Sequence, residues 1–169
     1  AEGTVAHGLA EELISGKADP LELLGRVGGK VKCDGFDIEI TDEMIDGAFG
    51  YYDVITADRA KFDAVSKQAP VVGKAEIRVC AKSVDEMLWG TADYILYRKG
   101  DRLVVYDYKY GRGVIVDPEK NEQAAIYAIA VMDGEAGWAF SSVELVIVQP
   151  RGAHPDGAER RWTAPVEWL

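Results

Sequence analysis

Apolar residues recur at helical spacing through the first third of the chain and switch to short, strand-like runs in the middle third. Val5, Leu9 and Leu13 fall on one face of a helix running from Val5 to Ile14. Asp19-Pro20 opens a short helical turn through Leu21, Leu23 and Leu24, which Gly28-Gly29 ends. Lys30 to Ile40 alternates weakly and predicts a peripheral hairpin or strand. Thr41 caps a longer helix, with Asp42 and Glu43 favourable in its first turn. That helix carries Met44, Ile45, Ala48, Tyr51, Tyr52, Ile55 and Phe62 and runs to about Lys67. Three strands follow: Val71 to Cys80, Met87 to Arg98, and Leu103 to Lys109. Lys99-Gly100-Asp101 is a tight turn that pairs the last two as an antiparallel hairpin. After a loop holding Gly111 and Gly113, Asp117 or Pro118 starts a helix through about Met132, ended by Asp133-Gly134. Val143 to Gln149 reads as a buried strand stopped by Pro150, and Arg160 to Leu169 adds an edge strand. This order predicts one α/β domain with a mixed central β-sheet flanked by helices.

Composition narrows the classes. A chain of 169 residues, 48% of them hydrophobic, suits one globular domain with one sizeable core. No apolar run reaches the roughly 18–20 residues needed to span a bilayer, and no secretory leader is visible, so a cytoplasmic protein is expected. Cys33 and Cys80 stand far apart and read as reduced thiols. The net charge of −10 opposes nonspecific nucleic-acid binding, which normally needs a surplus of Lys and Arg. Its distribution softens that objection: residues 1–60 carry −8 and residues 121–169 carry −4, whereas residues 61–120 carry +2.

The net-positive third also holds the candidate chemistry. Strand periodicity puts Leu103, Val105, Asp107 and Lys109 on one face and Val104, Tyr106 and Tyr108 on the other. Such a strand is buried along its body and opens at its end into a cleft. Alone, Asp-x-Lys is a common strand-end ion pair worth little energetically. Asp93, in the paired strand and beside the small residues Gly90 and Ala92, adds a second carboxylate. Two carboxylates from neighbouring strands suit a hard cation such as Mg²⁺. Glu76, between Ala75 and Ile77, is a further ligand candidate or else a solvent-facing strand position. Lys109 stands where it can orient water or neutralise developing charge. Gln123 and Tyr127 share a helix face and can bind phosphate oxygens, or Tyr127 is simply a buried tyrosine with a partnered hydroxyl. His7, one helical turn before Glu11, is either a surface histidine or a ligand. Arg112 and Arg151 flank strand ends and are candidates for phosphate contacts. His154 lies in a Pro/Gly-rich loop and receives no role.

In order along the chain, Gly3-Thr4 with His7, Glu76, Gly90-x-x-Asp93, Asp107-x-Lys109 and Gln123-x-x-x-Tyr127 resemble the PD-(D/E)xK nuclease superfamily. The likeness is to its RecB-like branch, which includes phage exonucleases. It covers roughly residues 3 to 150, and Val148-Gln149-Pro150-Arg151 is similar to phage-borne members. The motifs are individually short, and the ordered set carries the specificity. The resemblance implies a restriction-endonuclease-like core and Mg²⁺- or Mn²⁺-dependent hydrolysis of DNA. Asp93, Asp107 and the carbonyl of Tyr108 would hold the metal, with His7 or Glu76 completing the shell. Lys109 would serve catalysis, while Gln123 and Tyr127 would position DNA or support the site. No iron–sulfur cluster is implied, because the cysteines that some relatives use are missing. Relatives usually have sequence upstream of the Gly-Thr-x-x-His helix, so a preceding segment is expected here.

Three readings follow from these residues. The first is a metal-dependent deoxyribonuclease, in particular an exonuclease of phage or bacterial recombination, repair or DNA degradation, with DNA, a phage recombination or replication protein, or further copies of itself as partners. The second is a catalytically inactive module on the same fold that binds DNA or a protein. The third is an acidic accessory protein in which Asp-x-Lys is incidental.

Overall fold

Thr41 and Asn121 set the starts of the two helices that sandwich the sheet, each through its own side chain. The computed structural model describes residues 1–65, 69–136 and 140–169. Helix α1 spans Glu2–Ile14 and buries Val5, Ala6, Leu9, Ala10 and Leu13 along one stripe. Helix α2, Pro20–Leu24, is capped by Asp19, which accepts from Glu22 N–H. Strands β1, Lys30–Cys33, and β2, Phe36–Glu39, form the expected hairpin as a sheet of their own. Thr41 Oγ1 accepts from Met44 N–H at 3.3 Å to begin helix α3, Asp42–Ala64. The expected end of that helix near Lys67 lies outside the described residues.

The central sheet has five strands in sequence order: β3 Val72–Cys80, β4 Trp89–Tyr97, β5 Arg102–Tyr108, β6 Ser142–Val148 and β7 Glu159–Pro165. Only β5 and β6 run parallel, because helix α4, Glu122–Val131, supplies the crossover between them. The other neighbours are antiparallel, and the β4–β5 hairpin turns at Gly100, whose φ of 76° needs a glycine. A 3₁₀ turn over Val166–Trp168, not a longer strand, ends the chain.

Helix α4 corrects one expectation. It starts at Glu122 rather than at Asp117 or Pro118. Asp117 spends its carboxylate on Glu119 N–H at 2.8 Å, and Lys120 adopts φ 53°, which interrupts any helix there. Asn121 then caps α4 by accepting from Ala124 N–H at 3.0 Å. A single π-helical turn over Met132–Ala136 follows α4.

Two cores result. Helices α1 and α3 pack on one sheet face, over Tyr94, Leu96, Val104, Tyr106, Tyr108, Val146 and Val148. Helix α4 packs on the other, over Ala92, Ile95, Tyr97, Leu103, Val105 and Leu145. The alternation expected along β5 therefore holds. This α/β layering, a mixed five-stranded sheet flanked by helices, is compatible with a restriction-endonuclease-like core. Both cysteines are free thiols. Among the described residues no helix is long and apolar enough to cross a membrane.

Candidate functional site

The regular alternation of faces breaks at one rung of the sheet. Ala75 and its partner Tyr94 pack on the α1/α3 side, yet the rung two residues on, Ile77 with Ala92, packs on the α4 side. Residues two apart on a strand belong on one face, so the facing of both strands shifts by one residue between these rungs while their register stays the same. The residues between are Glu76 and Asp93, which drop out of the pairing register. Glu76 takes φ 46°, a left-handed conformation that strains any residue with a side chain.

Strand β4 parts from β5 at the same level. Their pairing ends at Tyr94 with Tyr106. Beyond it, Asp93 Oδ2 accepts from Tyr108 N–H at 2.7 Å, so a carboxylate takes up the amide where the β4 backbone has left off. Strand β5 stays laddered to β6 through Tyr108 with Val148, and Lys109 N–H bonds Val148 O at 2.8 Å. The acid–lysine strand end is thereby held from one side and open on the other.

His7, Glu76 and Asp93 come together at this opening, with one ligand-type atom from each lying within 4.8 Å of the others. His7 Nδ1 stands 3.8 Å from Asp93 Oδ2, and the imidazole ring meets Tyr108 edge-on at 5.1 Å. Asp107 is not a member of that group. By alternation with Val105 it belongs to the α4 face, where its Oδ1 holds Lys109 Nζ at 2.8 Å. Lys109 Nζ also reaches Gln123 Oε1 at 3.4 Å, and Gln123 Nε2 donates to the Tyr127 hydroxyl at 3.1 Å. The Tyr127 ring lies where a Cβ on Gly90 would clash with it, so Gly90 admits the ring beside the Asp93 strand.

Electrostatically the site is short of counter-charge. Burial raises the Asp93 pKa; His7, the Tyr108 amide and Lys109 lower it, the Asp107 charge adds to the rise, and the net shift is upward. Glu76 is raised by partial desolvation and then by the charges of Asp93 and Glu11. Asp107 is 5% exposed, and its Oδ2 is a buried acceptor without a hydrogen-bond partner. Two clustered carboxylates, an imidazole and an orphaned carboxylate oxygen nearby form a donor set that fits a divalent cation such as Mg²⁺ or Mn²⁺.

Arg112 and Arg151 are engaged elsewhere. Arg112 Nη2 bonds the Glu43 carboxylate at 3.1 Å, while Arg151 pairs with Glu2 at 3.1 Å and with Glu43 at 3.4 Å. The Arg151 guanidinium also lies 4.7 Å over the Tyr110 ring.

Tyr51 escaped the sequence reading, which took it only as an apolar helix position. It stacks on Tyr108 at 5.0 Å, and its buried hydroxyl has no hydrogen-bond partner. Burial and then the charges of Asp93 and Asp107 push its pKa well up, which puts a neutral phenol under the carboxylates. Nothing in the local sequence separates it from Tyr52, one residue on.

Residues 1–167 match the family described as "Protein of unknown function (DUF2800)". Because the match spans nearly the entire sequence, the protein belongs to that family.

Proposed function

We propose that this protein is a metal-dependent deoxyribonuclease that hydrolyses phosphodiester bonds, acting as an exonuclease on linear DNA in phage or bacterial recombination, repair or DNA degradation. The observation that supports it most is the meeting of His7, Glu76 and Asp93 where β4 and β5 part, beside the Asp107–Lys109 pair. An approach this close between two carboxylates opposes their ionisation unless a cation joins them. His7, Glu76 and Asp93 would hold Mg²⁺ or Mn²⁺, with the free Oδ2 of Asp107 as a further oxygen. The bound cation supplies Lewis acidity toward a phosphate oxygen and toward water. Asp107 and Gln123 fix the Lys109 ammonium at the strand end, where it neutralises charge developing on a phosphate. Tyr127 in turn orients Gln123.

The test is cleavage of linear DNA with Mn²⁺ or Mg²⁺ by the wild type and Asp107→Ala. The variant should retain its circular dichroism spectrum and lose about 100-fold or more in rate, the scale set by removing a group that stabilises charge in the transition state. Equal rates in the two proteins would overturn the mechanism.

A second reading, a catalytically inactive module that binds DNA or a protein, draws on the neutralisation of Arg112 and Arg151 by Glu43 and Glu2. It predicts DNA or partner binding in EDTA with no Mn²⁺ uptake in calorimetry.

A further inference from the structure

Most arginines of this acidic chain are spent on carboxylates. Arg26, Arg102, Arg112, Arg151 and Arg161 are each paired with at least one acid. Arg78 and Lys82 are not. Both are exposed, and among the described residues neither forms an ion pair or a hydrogen bond.

The two cations flank an exposed aromatic ring. The Arg78 guanidinium lies over the Trp89 ring, 5.1 Å from its centroid, yet the tryptophan stays 51% exposed. Strand register sets this contact. Arg78 pairs with Thr91, and Cys80 pairs with Trp89, so Arg78 and Trp89 are diagonal neighbours across β3 and β4. Arg78, Lys82 and Trp89 line a 180 Å³ cleft beside Ala130 and Gly134, and no carboxylate among the described residues contributes to its wall. The acids closest in sequence brace the loop between the strands instead: Asp133 Oδ2 takes Ser83 N–H at 2.7 Å, and Asp85 Oδ1 takes Met87 N–H at 2.8 Å. Glu86 is exposed on that loop and does not line the cleft.

The cleft adjoins the candidate site. Trp89 is followed at once by Gly90, which admits the Tyr127 ring, and Tyr127 leads through Gln123 to Lys109. Asp93 comes four residues after Trp89 on β4, roughly 13 Å along the strand. A stacked nucleic-acid strand rises about 3.4 Å per nucleotide, so about four nucleotides cover that distance.

An exposed indole offers a face on which an unpaired base stacks, and unpaired cations beside it take the adjoining phosphates. Bases inside a duplex keep their faces on one another and out of reach. The loop also exposes Val84 and Met87. Every charge in the cleft wall is nonetheless positive, which matches a polyanion with planar groups better than it matches an apolar protein face.

We infer that Arg78, Lys82 and Trp89 form a platform for single-stranded nucleic acid, with an unpaired base on Trp89 and its phosphates on the two cations. That the strand is DNA held for cleavage rests on the nuclease reading; the platform rests on these three residues.

The experiment is fluorescence anisotropy of a labelled thymidine oligonucleotide with the full chain in EDTA, so that no cleavage enters the readout. The wild type should bind it and should bind a duplex with hairpin-closed ends more weakly. Trp89→Ala should weaken binding of the single strand roughly tenfold, the scale of one stacked base, and Trp89→Phe should restore most of it. Arg78→Gln and Lys82→Gln should each make the dependence of log K on log salt shallower by about 0.7. An abasic strand of the same length should bind wild type and Trp89→Ala alike. Absence of binding to the wild type, equal affinity in Trp89→Ala, or the same Trp89 dependence with the abasic strand would overturn the inference. Self-association relieved by Trp89→Ala, without oligonucleotide binding, would overturn it and assign the patch to a protein contact. Trp89-dependent strand binding in a protein that cleaves no DNA with Mn²⁺ would fail the nuclease reading and keep this one.

Discussion

Glu76 combines two unfavourable features at one rung of the sheet. Its backbone sits at φ 46°, and its carboxylate shares a 4.8 Å neighbourhood with Asp93. Like charges directly across strands destabilise a sheet by some tenths of a kcal/mol, and left-handed backbone costs more. Glu76→Gln should therefore stabilise the metal-free protein by about 0.5 kcal/mol by removing the repulsion. Glu76→Gly should match or exceed it, because glycine also accepts the backbone. Both variants should lose Mn²⁺ affinity, so calorimetric melts without metal and titrations with it should move in opposite directions. A drop in melting temperature in both variants would show that Glu76 is placed for stability instead. Lys109 separates binding from rate in another way. Its ammonium pairs with Asp107 and Gln123 and with no member of the His7, Glu76 and Asp93 group. Lys109→Met should leave Mn²⁺ affinity within about threefold while lowering the cleavage rate about 100-fold.

Helix α3 reaches the sheet through one buried acid. Asp58, 1% exposed, accepts from the Tyr106 hydroxyl at 2.8 Å, from Arg161 Nη1 at 2.7 Å and from Lys61 at 3.0 Å. Burial alone would raise its pKa, yet these three hydrogen bonds outweigh burial and lower it below the ordinary aspartate value of 3.8. A carboxylate with a depressed folded pKa contributes stability that is present above its unfolded pKa and lost as pH falls through the folded one. Asp58→Asn should accordingly cost most near neutrality, and its deficit relative to the wild type should shrink below about pH 3.8 in denaturant titrations. Asp58→Ala should cost about 3 kcal/mol, near the low end for a broken buried pair, because Glu144 and Glu159 still hold Arg161. A deficit that does not change with pH would contradict this account. The network clamps α3 behind β5, and so fixes Tyr51 and Tyr108 beneath the candidate site.

Across the whole molecule, what the sequence made legible follows the range of the interaction responsible. Local signals sufficed for the helices capped by Asp19 and Thr41, for the Gly100 turn and for the alternation of Leu103 through Tyr108. The start of α4 misled because Asp117-Pro118 carries a helix-start signature whose carboxylate is spent in a turn instead. At the site, the shared helix face of Gln123 and Tyr127 could be read from their spacing, but not the reach of Lys109 to Gln123, which depends on how α4 packs on the sheet. The grouping of His7 with Glu76 and Asp93, apart from Asp107, could not either: it depends on a switch of facing in two strands that no residue pattern announces. The tethering of Arg112 and Arg151 to acids on α1 and α3 is likewise a matter of distant contact. The parting of β4 from β5 leaves one backbone proton in an unusual position, since Tyr108 N–H points at a carboxylate rather than a carbonyl. Such a proton resonates downfield and shifts with the charge on its acceptor. The Tyr108 amide is therefore a built-in reporter of Asp93: in a ¹⁵N-resolved spectrum it should move upfield in Asp93→Asn, and it should respond to added Mg²⁺ before any substrate is present.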